Sequence, residues 1–238
     1  SFSLNVHDFV FPEESIETVN HVIDIHEAYG VPVDIFLTAP VFDLYMKEAP
    51  DLIERLKTSP VVSVCYHVRA PYPYSADFDW LGLGDMAAAT RSPPLLAYEE
   101  HTVDLETGLP TEEVGGYEYM KEVFGYAPKI VSSLSNGPID ATLSKIYEEK
   151  GAVFTLHHGV STALGEKEGN LYLRPEDVDF KLYEHVHDED LSGAHMFALA
   201  EAEIPSTGLR FIGMKYHENN FYTEGTTFDP IFWADGKK

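Results

Sequence analysis

Histidine and carboxylate side chains recur in this sequence at one kind of place, the downstream end of an apolar run. His7-Asp8 closes "FSLNVHD", and His67 closes "VVSVCYHV" with Arg69 just beyond. His157-His158 closes "AVFTLHHG", and His217-Glu218-Asn219 ends "LRFIGMKYHEN". Five of the eleven histidines thus fall at the same end of their runs, where chance would scatter them over helices and loops as well. Imidazole and carboxylate together are the donor set of zinc and related divalent ions. Three such ligands with one open position for water bring that water's pKa toward 7 and supply a nucleophile. A neighbouring histidine or carboxylate takes or returns the proton. His21 and His26 sit inside a helical pattern and read as surface or packing residues. His185, His187 and His195 lie in an acidic stretch and read as solvated.

Histidines gather at one end of their strands when the strands run parallel, because the active sites of parallel α/β folds lie at the carboxyl edge of the sheet. The pattern along the chain is of that type. A strand over 2–8 precedes a helix over 12–30, opened by Pro12, Glu13 and Glu14 and closed by Gly30. Strands follow at 31–38, 61–68, 129–135, 152–159 and within 209–222. Helical patterns cover 41–59 with a break at Pro50, 111–125, 140–151 and 188–204. A stretch over 69–110, rich in Pro, Gly and aromatic residues, reads as a long irregular insertion, and loops of that length are commonly functional. Alternating strand and helix predicts one α/β domain over 1–238, either a (β/α) barrel or an open doubly wound sheet. No glycine-rich phosphate loop follows the first strand, which argues against nucleotide binding.

Composition narrows the partners. Forty acidic residues against sixteen basic give a net charge of -24, a surface that repels phosphate backbones and anionic lipid. No run of about 18 apolar residues is present to span a membrane. The single cysteine, Cys65, rules out an internal disulfide and a cysteine zinc cluster, and its apolar neighbours mark it as a buried small hydrophobe.

The motifs resemble those of the polysaccharide deacetylase family, the NodB-homology domain of carbohydrate esterase family 4. "LNVHDF" stands where that family has a strand ending in two aspartates, "GVPVDIFLT" matches its next strand, and "LIERLKTSPVVSVCYHV" its histidine-motif strand. "VFGYAPKIVSS", "LSKIYEEKGAVFTLHH" and "IGMKYHENNF" are similar to its later segments. The likeness covers residues 2–160 and extends more weakly to 222. It implies a seven-stranded or distorted (β/α) barrel and metal-dependent removal of N- or O-acetyl groups from a carbohydrate, with zinc the expected metal. It also implies that Asp8 and His67 bind the metal and that His7, standing at the family's aspartate base, acts as the base. Pro71 occupies the place of the family's second metal histidine. The third ligand therefore comes from elsewhere, with His217 the first candidate and His101 its rival; if His217 ligates, Glu218 becomes a candidate acid or base. Arg69, Tyr72, Trp80 and Asn219 are candidate substrate contacts. Further aromatics, Tyr74, Phe78, Phe221, Tyr222 and Trp233, suit the apolar faces of sugar rings or anchor the long loops. The departures keep two alternatives open: a glycan-binding member without catalysis, and a glycoside hydrolase in which Asp8 and Glu218 form the carboxylate pair. The family's habits imply a secreted, periplasmic or cell-surface protein; no signal peptide is visible, and a sequence that opens directly on a strand fits a trimmed leader.

Overall fold

The computed structural model describes residues 1–7, 11–68, 74–75, 78–79, 82–104, 106–133, 140–157, 162–175, 178–181, 192–203 and 211–222. The elements begin with β1 (Phe2–Val6), α1 (Pro12–Tyr29), β2 (Val33–Leu37), α2 (Ala39–Glu48), α3 (Pro50–Thr58) and β3 (Val62–His67). Two short hairpins, β4 (Tyr74–Ser75) with β5 (Phe78–Asp79) and β6 (His101–Val103) with β7 (Pro110–Val114), flank α4 (Ala88–Glu100). Then come α5 (Gly116–Phe124), β8 (Ile130–Ser133), α6 (Asp140–Lys150), β9 (Phe154–His157), β10 (Lys167–Glu168) and β11 (Leu171–Leu173). The chain continues through β12 (Val178–Lys181), α7 (Gly193–Glu203) and β13 (Ile212–His217), and a single 3-10 turn, Glu218–Phe221, follows.

Nine strands form one sheet in the order β10-β11-β9-β8-β3-β2-β1-β13-β12, and every neighbouring pair is parallel except β10 with β11. The protein is therefore a mixed α/β chain around a mostly parallel sheet. The last long strand, β13, lies beside the first, with Phe2 opposite Met214 and Asn5 opposite His217.

Local chemistry explains the elements. Pro12 sits at the first turn of α1, Glu13 and Glu14 face its positive end, and Gly30 closes it at φ 63°. Val19, Val22, Ile23 and His26 give that helix its buried face. His26 is a packing residue: Nδ1 donates to the Val31 carbonyl at 2.8 Å, and Nε2 accepts from the Tyr216 hydroxyl at 3.0 Å. Pro50, read as a break, opens α3 directly after α2.

Alternation sorts the sheet into two unlike faces. Leu4, Val6, Ile35, Leu37, Val64, Tyr66 and Val131 lie under the helices in the main core. The opposite face carries Ser3, Asn5 and His7 on β1, Cys65 and His67 on β3, and Lys215 and His217 on β13, all buried. Among the described residues, a small cluster of Phe36, Cys65 and Leu156 is the apolar part of that face.

Two expectations are corrected. The stretch over 69–110 is not irregular throughout: α4 occupies its second half, burying Leu95, Tyr98 and Glu99 despite Pro93 and Pro94. The helix expected over 111–125 begins only at Gly116, because 110–114 pairs with 101–103 as a hairpin strand. Gly115 enforces the break, since a Cβ there would lie 2.1 Å from the Thr102 backbone nitrogen.

Candidate active site

The carboxyl ends of β1, β3 and β13 bring three imidazoles together. The His7 ring lies 5.0 Å from that of His217 and 6.1 Å from that of His67, both edge to face. All three are at most 3% exposed. The adjacency follows from topology, because β13 flanks β1 on one side and β2 separates β1 from β3 on the other.

Glu218, the first residue after β13, is fully buried and binds across to β1: its Oε1 accepts the His7 backbone N–H at 2.7 Å. Its carboxylate thus holds the residue that ends the first strand. Asn219 and Asn220 follow it in the turn, both buried. Level with His217 in the sheet, Asn5 donates from Nδ2 to His217 Nε2 at 3.2 Å. Lower on the same face, Arg174 bonds Ser3 Oγ at 2.6 Å and pairs with Asp34 at 3.2 Å. Burial raises the pKa of Asp34, and the Arg174 charge pulls partly against it. Burial also pushes the Cys65 thiol well up, so Cys65 is the inert core residue its neighbours implied.

Aromatic pairs involve the segments that follow β1 and β13. Phe11 stands 6.3 Å from Tyr222, and Phe221 stands 6.3 Å from Tyr216. Phe11 and Phe221 remain 40% and 49% exposed, enough to offer a ring face to a ligand.

Of the residues singled out from sequence, His7, His67, His217, Glu218 and Asn219 meet at this edge. Asp8, Arg69, Tyr72, Trp80, His158 and Trp233 lie outside the described residues. His101, the rival ligand, opens β6 opposite Val114, and among the described residues it makes no ring contact with the three histidines. Asn5 and Thr38 were missed. Their signal was alternation: Ser3, Asn5 and His7 share one side of β1, and Thr38 is the polar end of "DIFLT".

No family model matches the sequence, and no curated protein does. Among solved structures, a 4-alpha-glucanotransferase from Thermococcus litoralis matches with a TM-score of 0.52 at 12% identity. The match covers 96% of this chain and 34% of that one, so this chain spans about a third of that enzyme's length. At that identity the likeness is one of fold, an α/β architecture around a mostly parallel sheet.

Proposed function

We propose that this chain is a metal-dependent hydrolase that removes acetyl groups from a carbohydrate. The observation that carries the reading is the convergence of His7, His67, His217 and Glu218 from the carboxyl ends of three strands far apart in sequence. In this reading the sheet is an incomplete (β/α) barrel whose strand order follows the chain from β12 and β13 through β1, β2, β3, β8 and β9 to β11.

The donor chemistry suits zinc. Among the described residues no group of three His, Cys, Asp or Glu is gathered for a metal, so the proposal requires Asp8, next to His7, as a ligand with His67 and His217. Bound there, a divalent cation would polarise the acetyl carbonyl and acidify water. His7 takes the proton as water's oxygen bonds to the acetyl carbon. It returns that proton to the nitrogen or oxygen of the sugar as the acyl bond breaks and acetate leaves. Glu218, through the His7 N–H, fixes where that base stands. The exposed rings of Phe11 and Phe221 suit the C–H face of a sugar.

The test pairs metal analysis with acetate release from N- and O-acetylated glycans, for the wild type, Asp8→Ala and His67→Ala. We expect bound zinc in the wild type, its loss in both variants, and a fall in acetate release of about 10²-fold or more. Equal metal content in the wild type and Asp8→Ala overturns the metal assignment. Glycan binding with no acetate release at any pH or metal supports a non-catalytic binder. Metal-independent cleavage of glycosidic bonds supports an Asp8–Glu218 pair.

A further inference from the structure

We infer that Thr38 is a water-positioning residue of this site, its hydroxyl holding the attacking water between His7 and His67. The inference rests on the hydrolytic reading above and adds a residue to it.

Register places Thr38 there. Leu37 pairs with Val6 on one side and with Tyr66 on the other. The next row is therefore His7, Thr38 and His67, on adjacent strands about 4.8 Å apart. Thr38 keeps extended dihedrals, φ -79° and ψ 155°, so alternation turns it to the histidine face and away from the Leu37 face. Its backbone is pinned at both ends: its N–H donates to the Val6 carbonyl at 3.1 Å, and its carbonyl accepts from Phe42 at 3.0 Å.

The hydroxyl is buried without a partner. Thr38 is 0% exposed, and among the described residues its Oγ1 has no hydrogen bond. An orphaned buried hydroxyl costs about 1–3 kcal/mol. The residue also forgoes an alternative. It is the N-cap of α2, where a threonine hydroxyl ordinarily accepts a helix N–H and gains about 1 kcal/mol, yet it makes no such bond. Pro40 in the first turn removes one of the N–H groups it would have used. Valine would fill the same space without either cost. A water there satisfies the hydroxyl, because Oγ1 accepts one of the two hydrogen bonds that water donates and the other stays available to His7.

That placement has a chemical use. The attacking water gives one proton to His7. Its other O–H, donated to Thr38 Oγ1, fixes the rotation of the molecule and aims its lone pair at the acetyl carbon. The new C–O bond forms as the first proton leaves, and the spectator O–H remains on the acetic acid until that ionises.

The experiment compares the wild type with Thr38→Val, Thr38→Ser and Thr38→Ala. A high-resolution crystal structure of the wild type should show an ordered water within about 3.2 Å of Thr38 Oγ1. Thr38→Val should lack it. In acetate release Thr38→Val should lower kcat by about 10²-fold with KM little changed. Thr38→Ser should recover to within a few fold, and Thr38→Ala should follow valine if valine folds poorly. No water on Oγ1 in the wild type, or a wild-type kcat in Thr38→Val, overturns the inference while leaving the hydrolytic reading in place. Ordered water on Oγ1 in a wild type that releases no acetate overturns that reading while the water site stands.

Discussion

Replacing Glu99 by glutamine removes one ionisable group from the core and nearly preserves its shape. Glu99, near the end of α4, is fully buried beneath β3 and α6, where Tyr147 donates a hydrogen bond to its Oε1 at 2.8 Å. Burial raises its pKa from 4.5 to about 7; the Tyr147 and Tyr66 hydroxyls and the Lys150 charge pull against it, and Glu118 adds to it. Lys150 is itself held by Glu100 at 3.0 Å and Glu118 at 2.8 Å, so its charge is largely spent at the surface side. The unfolded chain releases the Glu99 proton near 4.5 and the folded chain near 7, so between these values the folded state binds more protons. Stability therefore falls as pH rises through that window and levels off above it. At about 1.4 kcal/mol per pH unit, the loss from this one group between pH 5 and pH 8 is about 2–3 kcal/mol. Glutamine keeps an acceptor for Tyr147, offers an N–H to the Tyr66 hydroxyl, and does not titrate. Urea unfolding of both proteins from pH 5 to pH 9 isolates the effect, since other titrating groups cancel in the difference. The stability of Glu99→Gln relative to wild type should rise by about 2–3 kcal/mol across the window, or roughly 5 °C or more in Tm. A difference that stays flat with pH, or that falls, refutes the argument that burial holds this carboxyl protonated.

Two other substitutions probe the site's frame. Glu218→Leu orphans the buried His7 N–H and should cost about 1–3 kcal/mol, whereas Glu218→Gln keeps an acceptor there and should stay within about 1 kcal/mol of wild type; equal thermal melts for the two would contradict that role. Arg174→Met leaves Asp34 without its cation and should destabilise by about 3 kcal/mol in urea titrations, with Asp34→Asn added to the same chain recovering most of the loss; no recovery would mean that the arginine acts through packing alone.

The parts of this molecule that were legible in its sequence are those that short-range rules decide. Pro12 and Gly30 bracket α1, Pro50 separates α2 from α3, and histidines at the ends of three runs belong to one edge once the strands are parallel. What was hidden depends on partners distant in sequence. "PTEEV" has the polarity of a helix surface and becomes β7 only because residues 101–103 lie alongside it. The prolines at 93 and 94 mark a loop by propensity, yet the core burial of Leu95 and Tyr98 carries a helix through them. Asn5 and Thr38 escaped because the apolar runs "FSLNVHD" and "VPVDIFLT" mark strands without marking which of their polar residues turn inward, where the structure has an apolar face and a polar one.

The pairing of β1 with β13 also governs the order in which the molecule can come into being. The bond from His7 to Glu218 joins residues 211 positions apart, and closing a loop of that length costs about 5 kcal/mol of chain entropy before any contact offsets it. While the chain is being synthesised, β1 can find β2 early, but β13, which covers its other edge, emerges only with residues 212–217. His7 spends that interval on an incomplete strand edge, and the third imidazole arrives with the strand that covers it. Completing the sheet and assembling the histidine cluster are thus one event, and a chain cut short before residue 212 loses both together.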